Sequence, residues 1–229
     1  MIKEKIMGLL GVYDYTVVLT YIGTVVAFLG MGYAVDGGKM HIFTALVCLM
    51  ISGFCDMFDG KIASTKKNRT PKEKKFGVQI DSLSDLVCFG VLPAIIVYQL
   101  RVGSKIEFAV SAFYLMCGLI RLAYFNVEEE ERTSQTDARR TEFRGMPITS
   151  AALWFPGFYA VAVLLQQYAN SALHPRVIIS VLAVLVGIAF ITPFKLTKPG
   201  FVGKIVMILI GVVDIALMVW AAISIGWFE

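Results

Sequence analysis

The sequence predicts an all-α membrane protein, a polytopic bundle of transmembrane helices. Of its 229 residues, 57% are hydrophobic and only 17% are charged, and the mean hydropathy is +0.72. A soluble domain is about 45–50% apolar and about 25% charged, so this excess has to be buried in lipid. The hydrophobic residues also form runs of about 20, the length with which a helix crosses a bilayer. These observations exclude a soluble nucleotide-binding domain, a secreted disulfide scaffold and a disordered chain.

Seven hydrophobic runs, separated by turn signals or charged stretches, are predicted to be membrane spans. They cover residues 15–35, 41–65, 76–99, 106–126, 147–168, 175–193 and 203–227. A transmembrane β-barrel is not expected, since its strands alternate in polarity over about ten residues, whereas these runs are apolar on every face. We expect residues 1–193 to form a six-span core, and residues 194–229 to add a cytoplasmic loop and a seventh, C-terminal span.

The distribution of Lys and Arg predicts the orientation of this multi-pass protein. The N-terminus and the stretches 66–75, 127–145 and 194–204 hold 15 of the 21 basic residues. The connections on the opposite side of the membrane hold 4. Cytoplasmic loops are enriched in Lys and Arg, so the N-terminus and the large loops are predicted to lie in the cytoplasm. The basic residues are not interleaved with aromatic ones, and we expect no nucleic-acid partner.

Four aspartates lie within the second and third spans, where each carboxylate costs about 2.5–3.5 kcal/mol at the centre of a bilayer. Asp56 and Asp59 are three residues apart, and Asp81 and Asp85 are four apart, so each pair shares one helix face. Both pairs lie about one to three turns from the stretch 66–75 that joins these antiparallel spans. The two pairs are therefore predicted to converge at one depth.

Protonation, buried basic partners and divalent cations are three ways to relieve such a concentration of negative charge. Lys61 is the one basic residue within the two spans, so basic partners do not suffice. An all-oxygen ligand set suits Mg²⁺ or Mn²⁺, and His41 and His174 lie at the opposite membrane face, which disfavours zinc. Divalent cations fit best, and two of them close together are used by enzymes to activate phosphorus esters.

Small residues continue the two aspartate stripes toward the cytoplasm. Gly60 lies four residues after Asp56, and Gly77 lies four residues before Asp81. Together with Ala63 they predict an open slot through which a flat or phosphorylated ligand reaches the carboxylates from the water side. Small residues also let membrane helices pack closely, but the four aspartates beside them favour the slot.

Residues 56–85 resemble the signature of the CDP-alcohol phosphotransferases, D-x2-D-G-x2-A-R-x8-G-x3-D-x3-D, with seven of its eight fixed residue types present. The resemblance implies an enzyme in which an acceptor alcohol attacks the lipid-bearing phosphorus of CDP-diacylglycerol and CMP leaves. It implies that two Mg²⁺ or Mn²⁺ ions are bound by Asp56, Asp59, Asp81 and Asp85, with Asp85 also the general base. It further implies a homodimer and a nucleotide site formed by Asp56, Gly60, Ala63, Ser64, Gly77 and Asp81.

The chain departs from this signature at two points. Ser64 stands where the signature has Arg, and twelve residues instead of eight separate Ser64 from Gly77. The additional residues belong to a basic loop. Its Lys66, Lys67 and Arg69 are therefore candidates to bind the lipid phosphate and to replace the missing charge.

A second resemblance concerns the acceptor. Residues 121–126, RLAYFN, followed by FRGMP at 143–147, resemble the pattern R-[LY]-A-R-F-N … F-x-G-[LM]-P of the phosphatidylserine synthases within that family. The resemblance implies L-serine as the acceptor. Its carboxylate needs a cationic partner, and Arg121, Asn126 and Arg144 are the candidates to contact serine or the lipid phosphate. The alternative for each Arg is a snorkelling anchor at a helix end.

Other functions remain open at this point. Inositol phosphate or glycerol 3-phosphate are alternative acceptors, which favour a more basic pocket. A cation- or proton-coupled carrier also places carboxylates in the membrane, but it predicts broken helices and repeated halves, and the second half of this chain has no matching pair of aspartates. Asp214, in the last span, is given no role.

Overall fold

The structure, a computed structural model, describes residues 10–135, 142–169, 174–197 and 200–224. Most of these residues are helical. The helices are α1 (Tyr15–Asp36), α2 (Lys39–Thr65), α3 (Pro71–Asp85), α4 (Leu92–Gln99), α5 (Lys105–Gln135), α6 (Ala151–Tyr168), α7 (Pro175–Ile191) and α8 (Phe201–Ser224). A π-helical segment, Leu86–Val91, joins α3 to α4, so that these two form one continuous span.

The predicted class is confirmed, since within the described ranges six helical segments are long and apolar enough to cross a bilayer. The seventh, α7, is a shorter apolar helix of 17 residues. At about 1.5 Å per residue this helix still approaches the thickness of the hydrocarbon core. The chain is thus an integral multi-pass membrane protein. The division of the chain at residue 193 stays a prediction.

The basic loop between the second and third spans is shorter than predicted, because α3 already begins at Pro71. Thr70 and Glu73 form a capping box: the Glu73 amide donates to Thr70 Oγ1 (3.2 Å), and the Thr70 amide donates to Glu73 Oε2 (2.7 Å). Pro71 at the first helical position needs no hydrogen-bond acceptor. The connection is therefore residues 66–70, which we call the 66–70 loop.

The charged stretch after the fourth span, for which a helix end or a loop was expected, is helical over 127–135, since α5 continues to Gln135 instead of ending at 126. Glu and Arg are good helix formers. An ion pair three residues apart, between Arg132 Nη2 and Glu129 Oε1 at 2.6 Å, supports these last turns. The acidic run 128–131 is thus a helix end.

A two-stranded antiparallel ribbon, β1 (Glu142–Arg144) with β2 (Lys195–Thr197), is an element that the sequence analysis did not anticipate. Gly145 follows β1 with a φ of 74°, which favours glycine. Its amide donates to the Phe194 carbonyl at 2.7 Å, and the Met146 amide donates to the end of α7. The ribbon thereby fastens the residues before α6 to those after α7.

Close packing of α1 on α2 shapes the region of the aspartates. A Cβ added to Gly30 would lie 2.8 Å from the Cβ of Cys48, and one added to Gly23 would lie 3.2 Å from that of Cys55. Small residues therefore let the two helix backbones approach each other. All four cysteines are buried and free, as their apolar surroundings predict.

The π-helical segment leaves the Phe89 carbonyl without its usual partner. Pro93, four residues later, has no N–H to donate, and the Leu92 amide instead donates to the carbonyl of Val87, five residues back. The buried hydroxyl of Tyr114 in α5 donates to the Phe89 carbonyl at 2.6 Å. The Tyr114 hydroxyl therefore replaces the backbone donor that Pro93 does not provide to the Phe89 carbonyl.

Tyr114→Phe is expected to destabilise the protein by about 1–3 kcal/mol, because the buried carbonyl of Phe89 loses its donor. Thermal unfolding in detergent measures the effect as a lowered Tm. Tyr159→Phe is the matched control, since Tyr159 is also buried but no described residue accepts a hydrogen bond from its hydroxyl. Equal melting of Tyr114→Phe and wild type would show that the carbonyl needs no partner.

Candidate active site

The structure brings the four aspartates of the second and third spans together. Asp56, Asp81 and Asp85 each place one carboxylate oxygen within 4.8 Å of those of the others. Asp59 is buried, 7% exposed, and its carboxyl is within hydrogen-bond reach of that of Asp81. Asp56 is likewise within reach of Asp85. The helical spacing of each pair and the antiparallel course of the spans produce this cluster.

The first helix supplies a polar wall that the sequence analysis missed. Thr20 Oγ1 donates to Asp59 Oδ2 at 2.9 Å, and Thr24 Oγ1 lies 2.6 Å from Ser84 Oγ. Thr20 and Thr24 are four residues apart and flank Gly23 on the face of α1 that packs on α2. Hydroxyls beside a glycine on one face of a span were the signal available in the sequence.

A narrow cavity lies among these side chains, walled by α1, α2 and the junction of α3 with the π-helical segment. Its lining comprises Thr20, Gly23, Ser52, Cys55, Asp56, Asp59, Ser84, Asp85, Cys88 and Phe89. Asp85 is the last residue of α3, directly before the π-helical segment. Such segments widen a helix locally and are frequent at functional sites.

In the described part of the chain, the cluster is not neutralised by basic side chains. Lys61 is exposed, and its Nζ lies 5.3 Å from the centre of the Phe58 ring. Among the described residues, no ion pair reaches any of the four aspartates. Divalent cations and protonation therefore remain as the ways to relieve their charge. Carboxylate oxygens this close together are the ligands that Mg²⁺ and Mn²⁺ prefer, so the residues present fit such ions.

The predicted slot is open at Gly60, where no atom of the described residues lies within 4 Å of an added Cβ. Ala63 is half-buried one turn further on, and Ser64 is exposed. The other side of the slot is different: a Cβ added to Gly77 would lie 2.5 Å from Nη2 of Arg69. The guanidinium of Arg69 thus covers Gly77.

Lys66 anchors the 66–70 loop to two helices. Its Nζ donates to Asp14, the N-cap of α1, at 2.5 Å and to Glu73 of α3 at 2.6 Å. Burial alone would raise the pKa of Asp14, but hydrogen bonds from Lys66 and Thr16 outweigh it and lower this pKa to about 2. Hydrogen bonds to Asp14 and Glu73 in turn raise the pKa of Lys66. Lys67, by contrast, is exposed.

The two parts of the second sequence pattern meet in the structure. Arg121 is buried, 5% exposed, and its Nε donates to the Met146 carbonyl at 3.1 Å. Asn126 Oδ1 accepts from Ser82 Oγ at 2.8 Å, one residue from Asp81. This bond ties Asn126 to α3, the helix that carries Asp81 and Asp85.

Arg144, the last residue of β1, is exposed and contacts the C-terminal part of α5. Its Nε is 3.6 Å from Glu128 Oε1, and its Nη1 is 3.4 Å from the hydroxyl of Tyr124, the residue that departs from the pattern. Asp214 is buried elsewhere, against Gly157, where an added Cβ would lie 2.3 Å from its Oδ1. It belongs to α8 and is not part of the cluster.

The chain is similar to known proteins over most of its length. A family model described as CDP-alcohol phosphatidyltransferase matches residues 15–227. The chain is 29% identical over 194 residues to a CDP-diacylglycerol–serine O-phosphatidyltransferase of Methanocaldococcus jannaschii, covering 78% of this chain and 84% of that protein.

Two further relatives match over shorter stretches. A protein of the same description from Helicobacter pylori is 36% identical over 129 residues, which cover 55% of this chain and 50% of the relative. An archaetidylserine synthase of Methanothermobacter thermautotrophicus is 31% identical over 133 residues, 58% of this chain and 52% of the relative. The chain thus spans about half the length of these two relatives.

Proposed function

Because the chain belongs to the CDP-alcohol phosphatidyltransferase family, we propose that it transfers the phosphatidyl group of CDP-diacylglycerol to the hydroxyl of L-serine. The products are phosphatidylserine and CMP. The convergence of Asp56, Asp81 and Asp85, with Asp59 beside Asp81, next to a slot that is open at Gly60 is the observation that carries this proposal. The serine acceptor is supported by the names of the relatives and by the pattern around Arg121 and Asn126.

Asp56, Asp59, Asp81 and Asp85 are the residues that would hold two divalent ions, Mg²⁺ or Mn²⁺. Such ions, when bound, supply Lewis-acid stabilisation of the phosphorus centre and of the leaving CMP. The hydroxyl of Thr20 keeps the Asp59 carboxylate oriented. Carboxylates fixed in this way need little rearrangement when charge develops on the substrate.

Asp85 is proposed to act as the general base. As the serine oxygen forms its bond to phosphorus, the hydroxyl proton passes to the Asp85 carboxylate, and the bond to CMP breaks with its electron pair on the CMP oxygen. An ordinary aspartate is a weak base, with a pKa of about 3.9, so the proton must move as the new bond forms. The Asp56 carboxylate lies beside that of Asp85 in the cluster.

The nucleotide is proposed to enter between α2 and α3, along Gly60, Ala63 and Gly77. The acyl chains of the lipid are proposed to stay in the adjacent leaflet, which the distribution of Lys and Arg predicts to be the cytoplasmic one. Serine is proposed to bind near Asn126, which is tied to Ser82 in α3. Arg121 and Arg144 are the cationic candidates for its carboxylate.

The substrate assignment is tested by offering the purified protein CDP-diacylglycerol, Mg²⁺ or Mn²⁺, and one acceptor at a time. We expect CMP release with L-serine and none above background with inositol phosphate or glycerol 3-phosphate. Turnover with a phosphorylated acceptor instead would overturn the serine assignment. Ion flux into liposomes without any CMP formed would favour the carrier. The homodimer implied by the family resemblance stays a prediction, measured by light scattering in detergent.

A further inference from the structure

We infer that Arg69 replaces the basic residue that the signature places at position 64 and that it binds a phosphate of the CDP-linked lipid. The inference rests on the proposed function and deepens it, because it assigns the charge for substrate binding to a residue outside the signature. It follows from the position of the guanidinium, from its hydrogen-bond donors that have no acceptor, and from the ion pairs or exposure of the neighbouring basic residues.

The guanidinium of Arg69 lies on the slot face of α3. Measured from an added Cβ of Gly77, Nη2 is at 2.5 Å, Cζ at 3.5 Å and Nη1 at 3.9 Å. Any side chain larger than hydrogen at position 77 would displace it. Gly77 precedes Asp81 by four residues, so the two share a helix face about 5–6 Å apart. A phosphate that bound to ions held by the aspartates would therefore lie within reach of Arg69.

Most hydrogen-bond donors of Arg69 are unused within the described part of the chain. A guanidinium has five N–H donors. Among the described residues, Nη2 donates to the Glu73 carbonyl at 3.1 Å, and Nε is buried without an acceptor. A buried donor without an acceptor is unfavourable, and the fork of an arginine matches a phosphate with two parallel hydrogen bonds. The phosphate of a bound nucleotide lipid would meet this demand.

The other two basic residues of the 66–70 loop are either ion-paired or exposed to solvent. Lys66 donates to two carboxylates, those of Asp14 and Glu73. Lys67 is exposed, and the Ser64 hydroxyl donates to the Lys61 carbonyl at 2.7 Å. The ion pairs of Lys66 hold the loop, and its additional length lets Arg69 return to the slot from the side of α3. A cation has thus moved from the end of α2 to the opposite wall.

The first test compares Arg69→Ala, Arg69→Lys and the charge-matched control Lys74→Ala, which changes an exposed lysine of α3. We expect Arg69→Ala to raise the KM for CDP-diacylglycerol at least about tenfold and to weaken CDP binding by calorimetry to the same extent. The KM for serine should stay within about twofold, because serine does not contact this residue. Arg69→Lys should be intermediate, since lysine keeps the charge and loses the fork. Lys74→Ala should match wild type.

The second test is a cycle with Gly77→Ala, whose methyl group pushes the guanidinium away. We expect Gly77→Ala to resemble Arg69→Ala in CDP affinity, and to add less than about twofold when the arginine is already absent. Equal losses in both backgrounds would show that the methyl group acts on the nucleotide directly, which contradicts the contact. Ser64→Arg in the Arg69→Ala background should recover CDP affinity, and no recovery would overturn the replacement.

The two proposals fail in different ways. Absence of CMP release by the wild-type protein with every acceptor would overturn the proposed function. An active wild type, together with an Arg69→Ala variant of unchanged CDP affinity and unchanged KM for CDP-diacylglycerol, would overturn the inference alone.

Discussion

Asp85→Asn is expected to lower the rate of CMP release by about 100- to 10,000-fold, the range that general-base catalysis contributes. The amide has nearly the same size as the carboxylate, but it does not accept the proton of the serine hydroxyl. Asp85 lines the cavity and adjoins Asp56, so the loss acts on the chemical step. The measurement is kcat for CMP release in detergent, with calorimetry to establish that the variant still binds CDP.

Asp214→Asn is the matched control for this experiment. It also removes one buried carboxylate from a membrane helix, but it lies against Gly157 and outside the cluster. Its kcat should stay within about twofold of wild type, as expected of a residue that touches no reacting group. Normal turnover by Asp85→Asn would remove Asp85 from the mechanism.

Divalent ions are expected to stabilise the folded protein as well as to support turnover. A ligand at 100 times its dissociation constant stabilises by about 2.7 kcal/mol, and for a protein of this size each kcal/mol raises the Tm by about 2–4 °C. Adding Mg²⁺ or Mn²⁺ to chelator-treated protein should therefore raise the Tm by about 5–10 °C and restore CMP release. Differential scanning in detergent measures the first effect, and the CMP assay measures the second.

The double variant Asp56→Asn/Asp81→Asn separates ion binding from a general salt effect. It should lose the metal-dependent rise in Tm, because half of the carboxylates are gone. Without metal it should melt higher than wild type, since fewer like charges are crowded together. Asp214→Asn should keep the full rise. Identical melting of the wild type with chelator and with metal would contradict an ion site among these aspartates.

Hydropathy was sufficient to predict the spans, because lipid requires long apolar helices. The aspartate cluster was also predictable, since a spacing of three or four residues places each pair on one helix face. Contacts between distant parts of the chain were not. Thr20 in α1 looked like an ordinary residue of a span, and its bond to Asp59 depends on the close packing at Gly23.

Short polar elements were the weakest part of the prediction. The strands of the ribbon have three residues each, too few to show an alternating pattern. The C-terminal end of α5 could not be predicted from hydropathy, because its last turns are charged and a helix that leaves the membrane no longer needs apolar residues. The sequence also left three basic residues near position 64 as equal candidates. Only the path of the 66–70 loop distinguishes Arg69 from the others.

The double attachment of Lys66 has a consequence for acid tolerance. The pKa of Asp14 is lowered to about 2, so this side chain becomes protonated only as pH falls below the usual aspartate value toward 2. The ion pair that joins Lys66 to the first helix is lost over the same pH range. From mildly acidic to alkaline conditions below the raised pKa of Lys66, the ion pairs that join the 66–70 loop to α1 and α3 therefore keep their charges.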